Sequence, residues 1–180
     1  MSKSPAPKRV SKSSLENAAL FYLERFSASA EGLRRVLMRR VERAARAHGD
    51  DPAEGAVLVA DLIGRYQSAG LLDDQRYAEG KSRSLLRRGC SKRAIRQDLA
   101  RRGVATEVID RAIEDLENEV AEDDVSCDQA AAQAYARRRR LGPFRSPEMR
   151  AQYRDRDLAA LGRVGFSWEI ARQVIDGDAE

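Results

Sequence analysis

Along this chain the same punctuation recurs, a glycine followed closely by a serine or threonine between two apolar-periodic segments, as in Gly89-Cys90-Ser91, Gly103-Val104-Ala105-Thr106 and Gly165-Phe166-Ser167. Glycine readily takes the left-handed conformation that closes an α-helix. A small hydroxyl side chain satisfies the free N–H groups that open the next one. Each stretch therefore reads as the end of one helix and the start of another. Apolar residues at three and four spacing fill the segments between. No segment alternates apolar and polar residues for long, and the β-branched cluster Val57-Leu58-Val59 lies inside a helical pattern. A chain punctuated in this way is all-α, with about nine short helices.

The individual helices follow from the same signals. Ala19, Leu20 and Leu23 mark the first, and Leu33, Leu37 and Val41 the second. Asp51-Pro52-Ala53-Glu54 offers a cap, a proline suited to the first helical position and a glutamate able to complete a capping box. The third helix follows, with Val59, Leu62, Ile63 and Tyr66 inward, and stops at Gly70. The fourth runs from about Gln75 to Arg88. Ser91 caps the fifth and Thr106 the sixth, whose inner face is Ile109, Ala112, Ile113 and Leu116. The seventh carries Ala130 to Ala136 and the run Arg137-Arg138-Arg139-Arg140, and breaks at Gly142-Pro143. Ser146-Pro147-Glu148 opens the eighth, which ends near Gly165, and Ser167 caps the ninth, with Ile170, Val174 and Ile175 inward.

Residues 99–115 and 161–177 repeat one another. Leu99, Arg101, Gly103, Glu107 and Ile113 meet Leu161, Arg163, Gly165, Glu169 and Ile175. The expected organisation is a basic disordered tail over 1–13, then three-helix units over 14–70 and 71–120, then an acidic linker and a third unit over 121–180. Units of that size bury little surface alone, so they are expected to stack in an elongated, solenoid-like row.

Composition excludes several functions. The longest wholly apolar run, Ala18 to Leu23, is far shorter than the roughly 20 residues of a membrane span. The N-terminal stretch has base but no apolar core of a secretory signal. Cys90 and Cys127 stand far apart, in no ligand spacing, which suits a reducing cytoplasm. His48, the single histidine, falls at a helix C-terminus, where its cation favours the helix dipole. Phosphate-loop, HExxH and CxxC patterns are absent from the sequence. No catalytic, cofactor or metal site is expected.

The positive signal is basic. Between Lys81 and Arg102 there are nine lysines and arginines and one acid, Asp98. Lys81, Arg83, Arg87, Arg88, Lys92 and Arg96 lie on faces of the fourth and fifth helices, and Arg137, Arg138, Arg139 and Arg140 wrap the seventh. These ten are the candidate partner-binding residues. Three readings stay open for them: a solvated face balanced by the acids of 114–128, an acidic protein surface, or nucleic acid.

The adjacent carboxylates Asp73 and Asp74 read as a helix cap, with Arg76 in reach and Leu71 and Leu72 packing at a junction. Around them lies the string Gly70-Leu71-Leu72-Asp73-Asp74-x-Arg76-Tyr77-Ala78. It is followed by Arg88-Gly89 and by Ile95-x-x-x-Leu99-Ala100-Arg101-Arg102-Gly103-Val104, and preceded by Asn17-Ala18-Ala19-Leu20-Phe21-Tyr22-Leu23. This pattern resembles the RecX family of bacterial regulators of the RecA recombinase. Gly70, Asp73, Asp74, Arg76, Tyr77, Gly89, Gly103 and Gly165 carry the signature. The resemblance covers nearly the whole chain after about residue 14. The first unit departs from it, because its second helix continues through Val41 to Arg46 without a basic-residue–glycine stop.

The resemblance implies tandem three-helix units, no enzymatic activity and no cofactor. It implies a cytoplasmic partner, the RecA filament on single-stranded DNA, whose extension, ATPase, strand exchange and co-protease activity are limited. Those activities place the chain in DNA repair, recombination and the SOS response. Direct DNA binding is expected to be weak, and a row of units needs no dimer, so a monomer is expected.

Overall fold

The structure, a computed structural model, describes residues 8–121 and 126–178. Among them are nine α-helices and no strand: α1 Lys12–Leu23, α2 Ala30–His48, α3 Pro52–Ser68, α4 Asp74–Arg87, α5 Lys92–Arg101, α6 Thr106–Ala121, α7 Cys127–Arg139, α8 Pro147–Arg163 and α9 Trp168–Asp176. A short 3₁₀ turn, Gly142–Phe144, joins α7 to α8. Residues 1–7 of the expected tail and residues 122–125 of the expected acidic linker lie outside the described residues.

The caps explain most of the boundaries. Ser11, Ser29, Ser126 and Ser167 each accept a bond from the first turn of α1, α2, α7 and α9. At α1 the box is reciprocal, since the Ser14 hydroxyl accepts from the Ser11 amide at 2.8 Å. The expected box at α3 does not form. Asp51 bonds the Ala53 amide at 2.8 Å, with Pro52 at the first position, and Glu54 stays exposed. Thr106 is the first residue of α6 and not its cap; Ala105 supplies the carbonyl that the Ile109 amide bonds. Ser146 makes no side-chain cap bond before Pro147.

The chain divides into two compact units, one running through Tyr77 and including Arg102–Val104, the other comprising Ala78–Arg101 and everything from Ala105 on. In the first unit, α1, α2 and α3 close over Leu15, Leu33, Leu37, Val41, Val59 and Leu62, all nearly inaccessible. Full burial of such a side chain contributes about 1.5–3 kcal/mol relative to exposure. Gly55 of α3 lies against Val41 of α2 so closely that a Cβ there would overlap the valine methyls. Leu72 joins this core, whereas Leu71, expected beside it, is exposed. Of the apolar residues that announced α1, Leu20 is also exposed, and Leu15 and Ala19 carry the contact.

In the second unit the inner face of α6 is as expected, with Ile109, Ala112, Ile113 and Leu116 buried, and Ile95 and Leu99 of α5 are buried as well. α7, α8 and α9 enclose a core of Ala131, Ala132, Ala136, Leu158, Leu161 and Phe166, together with Ala171, Val174 and Ile175 of α9. The small residues of α7 let its backbone come close to α9. Arg140 closes α7 in the left-handed region at φ 54.

Candidate functional site

The repeat seen in the sequence extends to its hydrogen bonds. The Ser29 hydroxyl, at the start of α2, donates to the Arg102 carbonyl at 2.6 Å, and the adjacent Ala30 amide donates to Asp74 Oδ1 at 2.8 Å. Sixty-odd residues on, the Ser91 hydroxyl, at the start of α5, donates to the Val164 carbonyl at 2.8 Å. The Lys92 amide donates to Asp128 Oδ1 at 2.7 Å. Each joint thus uses a cap serine, a carboxylate and the carbonyl just before Gly103 or Gly165. Both glycines have positive φ, 77° and 97°. A Cβ on Gly103 would overlap Glu31 Cγ, and one on Gly165 would lie 2.8 Å from Ser91 Oγ.

The two aspartates of the signature therefore divide the work. Asp73 caps α4, its Oδ1 accepting from the Arg76 amide at 3.0 Å. Asp74, a second candidate for that cap, instead satisfies an N–H of α2's first turn. The Arg76 side chain, expected in reach of either carboxylate, is exposed and makes no ion pair with the described residues. Tyr77 is buried. Gly70 and Gly89 also have positive φ, at the ends of α3 and α4.

The ten candidate bases fall into two classes. Arg83 pairs with Glu119, Lys92 with Glu117 and Arg96 with Asp110. Three α6 acids thus neutralise three of the six candidate bases between Lys81 and Arg96. Bonding to Glu119 pushes the Arg83 guanidinium upward and the Glu119 carboxyl down, and Glu117 does the same for Lys92. Lys81, Arg87 and Arg88 make no ion pair with the described residues, and Arg87 and Arg88 are exposed. Arg137, Arg138, Arg139 and Arg140 are all exposed. Arg137 lies 5.3 Å from the Phe144 ring centroid, and Arg138 and Arg139 lie 5.7 and 5.9 Å from that of Tyr135.

Sequence reasoning overlooked three arginines, Arg145, Arg156 and Arg163, that gather beside Arg139 of the basic run. Arg139, Arg145, Arg156 and Arg163 line a cleft of about 360 Å³ with Tyr135, Tyr153 and Asp157. Asp157 is only 2% exposed; its Oδ2 accepts from the Gly142 amide at 2.9 Å, and Arg145 reaches both its oxygens, at 2.8 and 3.1 Å. The signal was present in the three- and four-residue spacing of Tyr153, Arg156, Ala160 and Arg163 along one face of α8. It was hidden because Arg145, Arg156 and Arg163 are dispersed and not in a run.

Burial raises the Cys127 thiol above its ordinary value, which opposes reactivity, and its Sγ donates to the Leu116 carbonyl. Among the described residues no three His, Cys, Asp or Glu side chains gather as metal ligands, and no helix is long and apolar enough to cross a membrane.

Comparison with known proteins places these features. A family model described as RecX, second three-helix domain, matches residues 73–113, from the capping aspartate into α6. Regulatory protein RecX of Myxococcus xanthus is 45% identical over 173 residues, 96% of this chain and 89% of its own length. Regulatory protein RecX of Agrobacterium fabrum is 31% identical over 88% of this chain and 80% of its own. A crystal structure of regulatory protein RecX shares the fold, with a TM-score of 0.62 at 19% identity over 92% of this chain and 72% of that one. With the signature string, its helices and identity along nearly the full length in agreement, the chain belongs to the RecX family.

Proposed function

We propose that this protein is a non-enzymatic regulator that binds the RecA recombinase filament on single-stranded DNA and limits its extension, ATPase, strand exchange and co-protease activity. The observation that carries this reading is the 45% identity over 96% of the chain to a protein named for regulation. The unpaired bases in and just after α4 support it. Lys81, Arg87 and Arg88 lie within the matched segment and are not neutralised by α6. Arginines in that state bind carboxylates or phosphates in a forked geometry. Arg137 to Arg140 are a second exposed set. Several modest contacts along one filament add through effective concentration, so no single one need be tight. The protein works in this reading as a cytoplasmic monomer without a cofactor.

The test is the single-stranded-DNA-dependent ATPase of the cognate recombinase, with and without this protein. Inhibition is expected with the native chain. It is expected to weaken about tenfold or more on reversing Lys81, Arg87 and Arg88 to glutamate, as losing charge-assisted bonds of ~1.5–3 kcal/mol implies. ATPase rate and filament length that stay the same in excess native protein would sink the reading. Unchanged inhibition by the reversed variant would remove only the α4 bases from the contact.

A further inference from the structure

The arginine cleft of the second compact unit has more positive charge than its surroundings use. Arg145 is held by Asp157, which leaves Arg139, Arg156 and Arg163 as guanidiniums lining the same concavity with no ion pair to the described residues. Three like charges around one cleft repel each other, and nothing in the helix packing requires them there. Aromatic rings hold two of them in place: Arg156 lies 5.8 Å from the Tyr153 centroid and Arg139 5.9 Å from that of Tyr135. The floor is rigid. Asp157 ties the Gly142 amide to Arg145, and Arg145 itself stacks 4.5 Å from the Tyr153 ring.

We propose that this cleft binds a nucleoside phosphate. Four guanidiniums face one carboxylate, which leaves three unbalanced, and a phosphate takes up to two negative charges and several forked hydrogen bonds. The volume, about 360 Å³, falls within the ~300–1,000 Å³ of small-molecule sites and exceeds what a bare anion needs. Tyr135, Leu141, Tyr153 and Ala160 supply the apolar wall that a flat base would cover. Arg139, Arg156 and Arg163 hold the phosphate, and Arg145 with Asp157 shapes the floor without touching the charge. The nucleotide can be free or one residue of a strand.

The experiment is calorimetric titration of the full chain alone with ADP, inorganic phosphate, adenosine, short oligothymidylate and a glutamate-rich peptide. No recombinase is present, so failure here is distinguishable from failure of the filament reading. Expected is saturable binding of ADP or of oligothymidylate, stronger than that of phosphate or adenosine. Binding of both marks a site for free nucleotide, and of oligothymidylate alone a site for a strand; either supports the assignment. Affinity should fall about tenfold per guanidinium in R156Q and R163Q, each a single exposed change on α8, with an unchanged melting temperature. The proposal is overturned if neither ADP nor oligothymidylate binds. It is overturned equally if both variants bind as the native chain does, or if phosphate or the acidic peptide matches the nucleotide.

Discussion

Gly103 shows how much one missing side chain can decide. It sits at φ 77, a region that costs a side-chain-bearing residue of the order of 1 kcal/mol. Its hydrogens also face the stem of Glu31, leaving no room for a Cβ. Glu31 cannot simply step aside. Its carboxylate binds Arg34 at 2.9 Å and Arg35 at 2.7 Å, and those bonds hold it at a pKa of about 2. Gly103→Ala is therefore expected to lower unfolding free energy by about 2 kcal/mol or more, through strain and overlap together. Gly49, at φ 70 with no neighbour near, supplies the comparison: Gly49→Ala should lose only the strain. Urea unfolding of both variants measures the difference, and equal losses would show that the Glu31 contact adds nothing.

At the level of elements, each joint is a device for finishing a helix N-terminus with groups from elsewhere in the chain. α2 begins with its own serine and with Asp74, and α5 with its own serine and Asp128. Removing either carboxylate leaves a first-turn amide without its partner. Asp74→Ala and Asp128→Ala should each cost about 1 kcal/mol, the usual worth of a helix cap. Asp73→Ala should cost a similar amount, but in α4. Amide exchange separates the cases: faster exchange in the first turn of α2 for Asp74, of α5 for Asp128 and of α4 for Asp73. If Asp74→Ala instead loosens α4, the assignment of the pair is wrong.

These joints also mark where the sequence stopped being legible. Gly70, Gly89, Gly103 and Gly165 end helices by a local rule, so helix number and order could be read directly. The repeat of 99–115 at 161–177 could be read too, and its buried positions agree, Leu99 with Leu161 and Val104 with Phe166. Asp74 looked like a cap for its own helix because caps are local. Its true partner is 44 residues upstream, and no spacing rule reaches that far. The basic faces were legible as composition, but Glu119, Glu117 and Asp110 neutralise three of those bases through tertiary contacts. The cleft around Asp157 was missed for the opposite reason: Arg145, Arg156 and Arg163 form no run, and only folding brings them beside Arg139.

Across the whole molecule, the division into compact units does not follow the order of the chain. The first unit takes the chain through Tyr77 and then Arg102–Val104, and the second takes what lies between and after. The boundary at Tyr77 falls inside α4. The borrowed tripeptide is not incidental, because it holds the Arg102 carbonyl that the Ser29 hydroxyl bonds and the glycine against which Glu31 rests. Each body is thus woven from two stretches of polypeptide. No single break in the backbone can release both intact. A fragment ending at Tyr77 should melt well below the full chain and show less protection of the α2 amides. Equal protection would mean that the tripeptide contributes no stability. Any attempt to split this protein into independently folding halves by cutting once must sacrifice one of them.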